Sequence, residues 1–209
     1  MMSSPLIGEF APDFTCSAIR GDGEIIDSFN LRAHAEGKYT LLFFYPLDFT
    51  FVCPSELIAL NKRMDSLRAL NTEVVTISGD SHFTHNAWRN TPLRSGGIGS
   101  VSFIMASDLE GTILASYGLR ASSNNSYYTA GTAMRGTFVI DKDFIVRHQS
   151  VNDEPIGRNI DEFIRVVEAL KFFEEHGQVC PAGWNRGDPG MVSTPSGVAD
   201  YLSTHSENL

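Results

Sequence analysis

Cys53 is the residue whose surroundings most clearly indicate chemistry. It lies in the run Phe49–Glu56 directly after the apolar stretch Tyr39–Tyr45, and Pro54 follows it. A strand, a short loop and a proline in the first turn of a helix would place the sulfur at a helix N-terminus, where unpaired N–H groups favour negative charge. Such a position, or an adjacent cation, lowers a thiol pKa from about 8.5 to roughly 3.5–7.5. The pattern therefore predicts a reactive thiolate.

The alternative for Cys53 is an inert buried thiol, because free cysteine often packs as a small hydrophobe. Its neighbours Thr50, Pro54 and Glu56 are polar or helix-starting residues at the end of a strand, and they favour chemistry. The two other cysteines, Cys16 and Cys180, lie far from Cys53 in sequence. Separated cysteines without a C-x-x-C pair indicate neither a disulfide framework nor a zinc cluster, and they favour a reducing compartment.

The amino-acid composition indicates a single domain and argues against nucleic-acid-binding and membrane proteins. The 209 residues are 42% apolar, enough for one domain with its own core. A net charge of −9 argues against nucleic-acid binding, which needs clustered Lys and Arg. The N-terminus has no basic and apolar signal pattern, and no apolar run could span a membrane. We expect a soluble cytoplasmic protein.

The elements that must position Cys53 follow an α/β pattern. Apolar residues at helical spacing predict an amphipathic helix from Pro54 to Leu70 and a second from Asn159 to His176, ended by Gly177. Ser81 is placed to cap a short helix. The predicted strands are Tyr39–Tyr45, Glu73–Ser78, Ser100–Met105 and an antiparallel hairpin of Gly136–Ile140 with Phe144–His148. Together they imply an α/β domain, a mixed sheet covered by helices on both faces.

The chain changes character after Gly177. The following residues are rich in glycine, proline and serine, with a predicted short helix at Val198–Ser203. We expect a domain over residues 1–176 and an extended C-terminal arm over residues 177–209.

Three motifs resemble those of one family. They are Pro46-x-x-x-Thr50-x-x-Cys53-Pro54-x-Glu56, Met134-Arg135-Gly136-Thr137-Phe138 and Val179-Cys180-Pro181-Ala182-Gly183-Trp184, with further matches at Trp88 and Gly157-Arg158. In this order they resemble a typical two-cysteine peroxiredoxin, the group that includes the alkyl hydroperoxide reductase peroxidase subunit. The resemblance implies a thioredoxin-like fold with a central mixed β-sheet flanked by helices and a C-terminal extended arm.

The resemblance assigns a role to each residue around Cys53. Cys53 matches the peroxidatic cysteine, whose thiolate is oxidised by a peroxide to a sulfenic acid. Thr50 would bond the sulfur and the peroxide, Pro46 would exclude water, and Arg135 would stabilise the thiolate. Glu56 and Arg158 would hold Arg135 in place. The plain alternatives are a helix-capping threonine, a surface arginine and a surface ion pair.

Cys180 matches the resolving cysteine, which attacks the sulfenic acid of the partner subunit to form an intersubunit disulfide. The alternative is an incidental thiol in a loose tail. The resemblance implies at least a homodimer, assembled further into a decamer, and a first helical turn at Cys53 that unwinds locally.

The remaining features carry weaker expectations. Cys16 is expected to be structural. His82 and His85 could suggest a metal site but are expected at the surface. Trp88 is expected to pack beside the active-site wall or the docked tail, with a plain core tryptophan as the alternative. The polar stretch 121–130 is expected to form a surface loop. Gly96-Gly97-Ile98-Gly99 and Tyr201-Leu202 resemble motifs of members that over-oxidise readily, each with one departure, which makes over-oxidation sensitivity a hypothesis.

The function implied by the resemblance is a thiol peroxidase that reduces hydrogen peroxide and organic hydroperoxides. Thioredoxin or a flavoprotein disulfide reductase would recycle it, and no metal, haem or flavin cofactor is implied. An alternative is an oxidation-dependent holdase chaperone or a redox relay. A general disulfide oxidoreductase is a third possibility, and the lack of a C-x-x-C pair counts against it.

Overall fold

The computed structural model describes residues 5–122 and 127–208. The chain divides into two compact units, Met1–Ile160 and Asp161–Leu209. The strands are β1 (Thr15–Ile19), β2 (Ile25–Asn30), β3 (Tyr39–Phe44), β4 (Thr72–Ser78), β5 (Ile104–Ser107), β6 (Arg135–Ile140) and β7 (Val146–Asn152). The helices are α1 (Leu31–Ala35), α2 (Cys53–Asn61), α3 (Met64–Ala69), α4 (His82–Asn90), α5 (Thr112–Ser116), α6 (Ile160–His176) and α7 (Pro195–His205).

The first unit is built on a seven-stranded mixed sheet with the strand order β2-β1-β5-β4-β3-β6-β7. Strands β3, β4 and β5 pair in parallel, and the remaining neighbours are antiparallel. Every residue of the interior strand β3 is buried, as expected for a strand covered on both faces. This confirms the predicted α/β class and makes β3 a rigid support for the loop that follows it.

Most predicted elements are confirmed. Strands β3 and β4, the antiparallel hairpin of β6 with β7, and helix α6 lie where the patterns indicated them. Ser81 caps α4 by accepting a hydrogen bond from the backbone N–H of Thr84 at 3.1 Å. The last helix is longer than predicted, because Thr194 caps it and Pro195 occupies its first turn.

Two predicted elements differ from the structure. The single helix expected from Pro54 to Leu70 is divided into α2 and α3, because the Arg63 N–H donates to the Leu60 carbonyl, three residues back, and tightens the turn. The strand expected at 100–105 begins only at Ile104. Asn61 holds the backbone of Ser100 and Ser102 through its side-chain amide, so these residues do not join the sheet ladder.

Residues 123–126 of the predicted polar loop lie outside the described residues. Within the described part of the chain, no helix combines the length and the apolar character that crossing a membrane would require.

Candidate active site

Cys53 is the first residue of helix α2 and its side chain is fully buried. The helix follows β3 after a short loop, and Pro54 stands in the first turn. Val52 precedes the helix without giving a side-chain cap. The predicted placement of the sulfur at a helix N-terminus is therefore confirmed, and the helix start lacks the side-chain cap that would usually stabilise it.

Arg135 brings a positive charge to this sulfur from the start of β6. Its Nη1 atom lies 3.3 Å from Cys53 Sγ, and its side chain is 1% exposed. The Nε atom donates to the Glu154 carbonyl at 2.6 Å, and the backbone N–H donates to the Tyr128 hydroxyl at 2.7 Å. The alternative of a surface arginine is wrong, and Tyr128 is a supporting residue that the sequence did not indicate.

Glu56 joins Arg135 to Arg158. Its Oε2 atom accepts hydrogen bonds of 2.9 Å from Arg135 Nη1 and from Arg158 Nη2, and its Oε1 atom accepts 2.9 Å bonds from Arg158 Nε and backbone N. Arg158 also donates to the Gly136 carbonyl at 2.8 Å and lies over the ring of Phe43. Glu56 and Arg158 are both buried, so the alternative that they form an ion pair at the surface is wrong.

The charges of this cluster favour an anion at Cys53. Two guanidinium groups face one carboxylate, which leaves one positive charge uncompensated. Burial works to lower the pKa of Arg135, but its hydrogen bond to Cys53 and the charge of Glu56 outweigh burial and raise that pKa. Burial lowers the pKa of Arg158, whose ordinary value is so high that it remains protonated. A thiolate at Cys53 would bring the cluster to neutrality.

Pro46 and Thr50 lie on the loop between β3 and α2. Pro46 is buried, and the Thr50 hydroxyl donates to the Leu47 carbonyl at 2.7 Å. Thr50 does not cap α2, contrary to the plain alternative. With its proton committed to Leu47, the hydroxyl oxygen presents lone pairs that can accept a hydrogen bond from a peroxide O–H. Phe49 adopts a φ of 54°, which is a strained conformation for a residue with a side chain.

A buried polar network around Asp48 holds the loop between β3 and α2 in place. Asp48 accepts a hydrogen bond from the Tyr45 hydroxyl at 2.7 Å and lies 2.8 Å from His85 Nδ1. The Asp48 N–H donates to Asp80 at 2.9 Å, and His85 Nε2 lies 3.2 Å from the Ala106 carbonyl. The network thereby ties the loop to strand β5, to helix α4 and to Asp80, which follows strand β4.

The surface position predicted for His85 is wrong, because its side chain is fully buried. The spacing in the sequence could have indicated this burial, because His85 lies three residues before the buried Trp88 and on the same face of the helix. His82 is partly exposed. Among residues 5–122 and 127–208, no cluster of histidine, cysteine and carboxylate side chains could hold a metal ion.

Trp88 packs beside the same loop, as predicted. Its ring lies 6.0 Å from that of Tyr45 and 5.9 Å from that of Phe49, and its Nε1 donates to the Gly96 carbonyl at 2.9 Å. A Cβ atom on Gly97 would lie 1.8 Å from the Thr91 carbonyl oxygen, so only glycine fits there. The glycine segment 96–99 is thus fastened to the tryptophan that supports the Cys53 loop.

Cys180 lies in the second unit, shortly after α6. It is half-buried, and its Sγ atom lies 3.5 Å from the Ala169 carbonyl. The preceding residue Val179 forms a backbone bridge with Met191. Burial raises the pKa of the Cys180 thiol, and the charge of Arg165 opposes that rise. These contacts place the thiol in a defined position rather than in a loose tail.

Cys16 has a different environment, on strand β1. It is half-buried, and burial raises the pKa of its thiol from 9.0 to about 11. Because the folded protein holds this proton more tightly than the unfolded chain, the free energy of unfolding should fall as pH rises from about 9 to about 11. At pH 8 only about one thiol in a thousand would be a thiolate, consistent with a structural residue.

We predict that Cys16 is alkylated about 100-fold more slowly in the folded protein than in the unfolded chain at pH 8, since the thiolate is the nucleophile and its pKa is raised from 9.0 to about 11. Reduced protein would be treated with iodoacetamide with and without urea, and the Cys16 peptide followed by mass spectrometry. Equal rates in the two conditions would contradict this.

Comparison with known proteins identifies the family. A model described as the AhpC/TSA family matches residues 7–149, and one described as the C-terminal domain of 1-Cys peroxiredoxin matches residues 169–204. The chain belongs to the AhpC/TSA family. It is 45% identical to alkyl hydroperoxide reductase C of Buchnera aphidicola, over 94% of this chain and 96% of that protein. It is also 45% identical to peroxiredoxin-1 of Gallus gallus, over 94% and 95%.

Solved structures agree with this assignment. The reduced 2-Cys peroxiredoxin of Plasmodium vivax matches with a TM-score of 0.89 and 41% identity, over 96% of this chain and all of that chain. Alkyl hydroperoxide reductase C of Enterococcus faecalis matches with a TM-score of 0.75 and 34% identity, over 85% and 100%. The predicted thioredoxin-like peroxiredoxin fold is confirmed, and this AhpC/TSA member is a thiol-dependent peroxidase. The names of the relatives do not favour the holdase or relay alternative.

Proposed function

We propose that this chain reduces hydrogen peroxide and organic hydroperoxides through a sulfenic acid on Cys53. The observation that carries the proposal is the 3.3 Å approach of Arg135 Nη1 to Cys53 Sγ, inside a buried cluster with one uncompensated positive charge. Such a cluster stabilises a thiolate, and it also stabilises the negative charge that develops on a departing oxygen. Relatives named alkyl hydroperoxide reductase support the organic substrates.

The first step is a displacement at oxygen. The Cys53 thiolate attacks the terminal peroxide oxygen, so that an S–O bond forms as the O–O bond breaks, and sulfur is oxidised while the peroxide is reduced. The departing hydroxide or alkoxide takes up a proton and leaves as water or an alcohol. Arg135 would polarise the peroxide bond, Thr50 would accept the peroxide O–H, and Pro46 would exclude water. Glu56 and Arg158 would hold Arg135 in position.

The second step uses Cys180 of a partner subunit. Its thiolate attacks the Cys53 sulfur, the S–O bond breaks as the disulfide forms, and the released hydroxide becomes water. Cys53 is fully buried and must leave its pocket for this step. The uncapped start of α2 and the strained Phe49 support local unwinding there. The proposal includes a homodimer that assembles into decamers, and an arm over residues 177–209 that carries Cys180.

A thiol reductant then restores the enzyme. Thioredoxin is the first candidate, because one relative is the rat mitochondrial thioredoxin-dependent peroxide reductase, and a flavoprotein disulfide reductase is the second. A reducing compartment, the cytoplasm, suits three cysteines that are all free in the structure. Over-oxidation sensitivity stays a hypothesis, tested by intact mass after turnover in excess peroxide. Cys53 that stays free of sulfinic acid would contradict it.

The decisive experiment is a non-reducing gel after one equivalent of hydrogen peroxide, with Cys53→Ser, Cys180→Ser and Cys16→Ser beside the wild type. We expect a covalent dimer in the wild type and in Cys16→Ser, and none in the two other variants. Peroxide consumption should be lost with Cys53→Ser. A wild type that stays monomeric, or a dimer that requires Cys16, would overturn the two-cysteine mechanism.

A further inference from the structure

Arg165 makes contacts that a simple surface ion pair does not need. On helix α6 it pairs with Glu162 through two hydrogen bonds of 2.7 Å, from Nε and Nη2. Its third nitrogen, Nη1, donates to the backbone carbonyl of Trp184 at 3.0 Å. That carbonyl lies nineteen residues further along the chain, in the segment that also carries Cys180. The guanidinium therefore joins the helix to the cysteine segment.

The same arginine shares an apolar groove with Cys180. The groove has a volume of about 270 Å3 and is lined by α6 residues between Arg165 and Phe173, together with Val179 and Cys180. The thiol lies against α6 through the Ala169 carbonyl at 3.5 Å. In such apolar surroundings a thiolate is disfavoured unless a positive charge is near. Arg165 is the cation that lines this groove, and it lowers the pKa that burial raises.

We propose that Arg165 is the positioning residue of the resolving step, holding the Cys180 segment through the Trp184 carbonyl and supplying the positive charge that favours the Cys180 thiolate. Glu162 tunes this charge, because its carboxylate neutralises part of it. This inference rests on the proposed function, in which Cys180 attacks the Cys53 sulfenic acid. Arg165 would affect the rate of that attack, and it would not affect the rate at which Cys53 is oxidised by peroxide.

The speed of this attack decides the fate of Cys53. The Cys180 thiolate forms the disulfide, the S–O bond breaks, and hydroxide leaves with the bonding electrons and is protonated to water. As long as the Cys53 sulfenic acid persists, a second peroxide molecule can oxidise it to a sulfinic acid. A slower Cys180 therefore gives more over-oxidation at each turnover.

The test measures the rate of disulfide formation between pH 6 and 11 in the wild type, Arg165→Gln, Arg165→Lys and Glu162→Gln. Reduced protein would be mixed rapidly with hydrogen peroxide, quenched with acid and analysed by intact mass. The sulfenic acid, the disulfide and the sulfinic acid differ in mass, so both steps are read from one experiment. Oxidation of Cys53, in which Arg165 and Glu162 take no part, is the internal reference.

We expect Arg165→Gln to move the midpoint of the pH profile upward by about half to one unit, which slows resolution about threefold to tenfold at pH 7. Sulfinic acid per turnover should rise by the same factor. Arg165→Lys should keep a midpoint close to that of the wild type. Glu162→Gln should move the midpoint downward, which distinguishes a charge effect from a loosened segment, because loosening would slow resolution at every pH.

Unchanged midpoints in Arg165→Gln and Glu162→Gln, in a wild type that forms the Cys53–Cys180 disulfide, would overturn this inference and leave the proposed function intact. A wild type that forms no such disulfide would overturn the proposed function itself. If Arg165→Gln fails to fold, Glu162→Gln tests the inference alone: a downward shift of the pH midpoint supports it, and an unchanged or upward-shifted midpoint overturns it.

Discussion

Replacing Arg135 by methionine is expected to slow the oxidation of Cys53 by hydrogen peroxide about 10²- to 10³-fold, the usual effect of removing one donor that stabilises developing negative charge. Arg135 is the cation in contact with the sulfur, and Arg158 is held by Glu56, by the Gly136 carbonyl and over Phe43. Methionine keeps an unbranched apolar stem like that of arginine and removes the guanidinium with its charge and donors.

Arg135→Lys is the matched control for this prediction. Lysine keeps the charge but cannot make the fork that bonds Cys53, Glu56 and the Glu154 carbonyl together. Its rate should lie between those of the wild type and Arg135→Met. Rates would be measured by competition for peroxide with a second thiol peroxidase of known rate. An Arg135→Met rate within threefold of the wild type would exclude Arg135 from the reacting site.

Replacing Glu56 by glutamine is expected to lower the free energy of unfolding by about 3–5 kcal/mol, because it removes the carboxylate that lies between two buried guanidinium groups, and a Cys53 thiolate could balance only one of the two. The side chains of Glu56, Arg135 and Arg158 are at most 2% exposed, so water cannot replace the lost carboxylate. Glutamine has nearly the same shape, and the effect therefore reports charge and hydrogen bonding rather than packing.

Glu162→Gln is the matched control for Glu56→Gln. Its ion pair with Arg165 is considerably exposed, and such pairs contribute about 0–1 kcal/mol. Both variants would be unfolded in urea under reducing conditions at one protein concentration, since association changes apparent stability. A Glu56→Gln effect no larger than that of Glu162→Gln would show that the buried cluster does not stabilise the fold.

The loop that carries the site is firmly held at its base and weakly held at its tip. The network of Asp48 with Tyr45, His85 and Asp80 holds the base of the loop. Burial, more than the neighbouring charge of Asp48, raises the pKa of Asp80. The loop tip and the start of α2 are different, because Phe49 is strained and α2 has no side-chain cap. An opening that frees Cys53 would therefore begin at the tip and leave the base in place.

Local sequence patterns were sufficient where neighbours along the chain decide the structure. Pro54 predicted the start of α2 at Cys53, and Ser81 predicted the cap of α4. These signals act within a few residues, through a fixed φ and through the free N–H groups of a first turn. The same reasoning placed the start of the strand at 100–105 too early, because Asn61, distant in sequence, bonds the backbone at Ser102 and β5 begins at Ile104.

The charged site depends on the register of the sheet. Thr137 on β6 pairs with Phe43 on antiparallel β3, which brings Arg135, two residues earlier, to the end of β3 where the Cys53 loop begins. Residues 82 positions apart meet in this way, and no spacing in the sequence measures that distance. Only the family motifs indicated that Arg135 and Arg158 act together with Cys53 and Glu56.

The sequence by itself determined the α/β class, the placement of Cys53 at a helix start and the family, because periodicity, local turn chemistry and short motifs are written along the chain. Tertiary structure alone decided the burial of Glu56 and His85, the support of Arg135 by Tyr128, and the contact of Arg165 with the Cys180 segment. The physical reason is that burial and long-range hydrogen bonds follow from how whole elements pack, and the same residue type is exposed or buried accordingly.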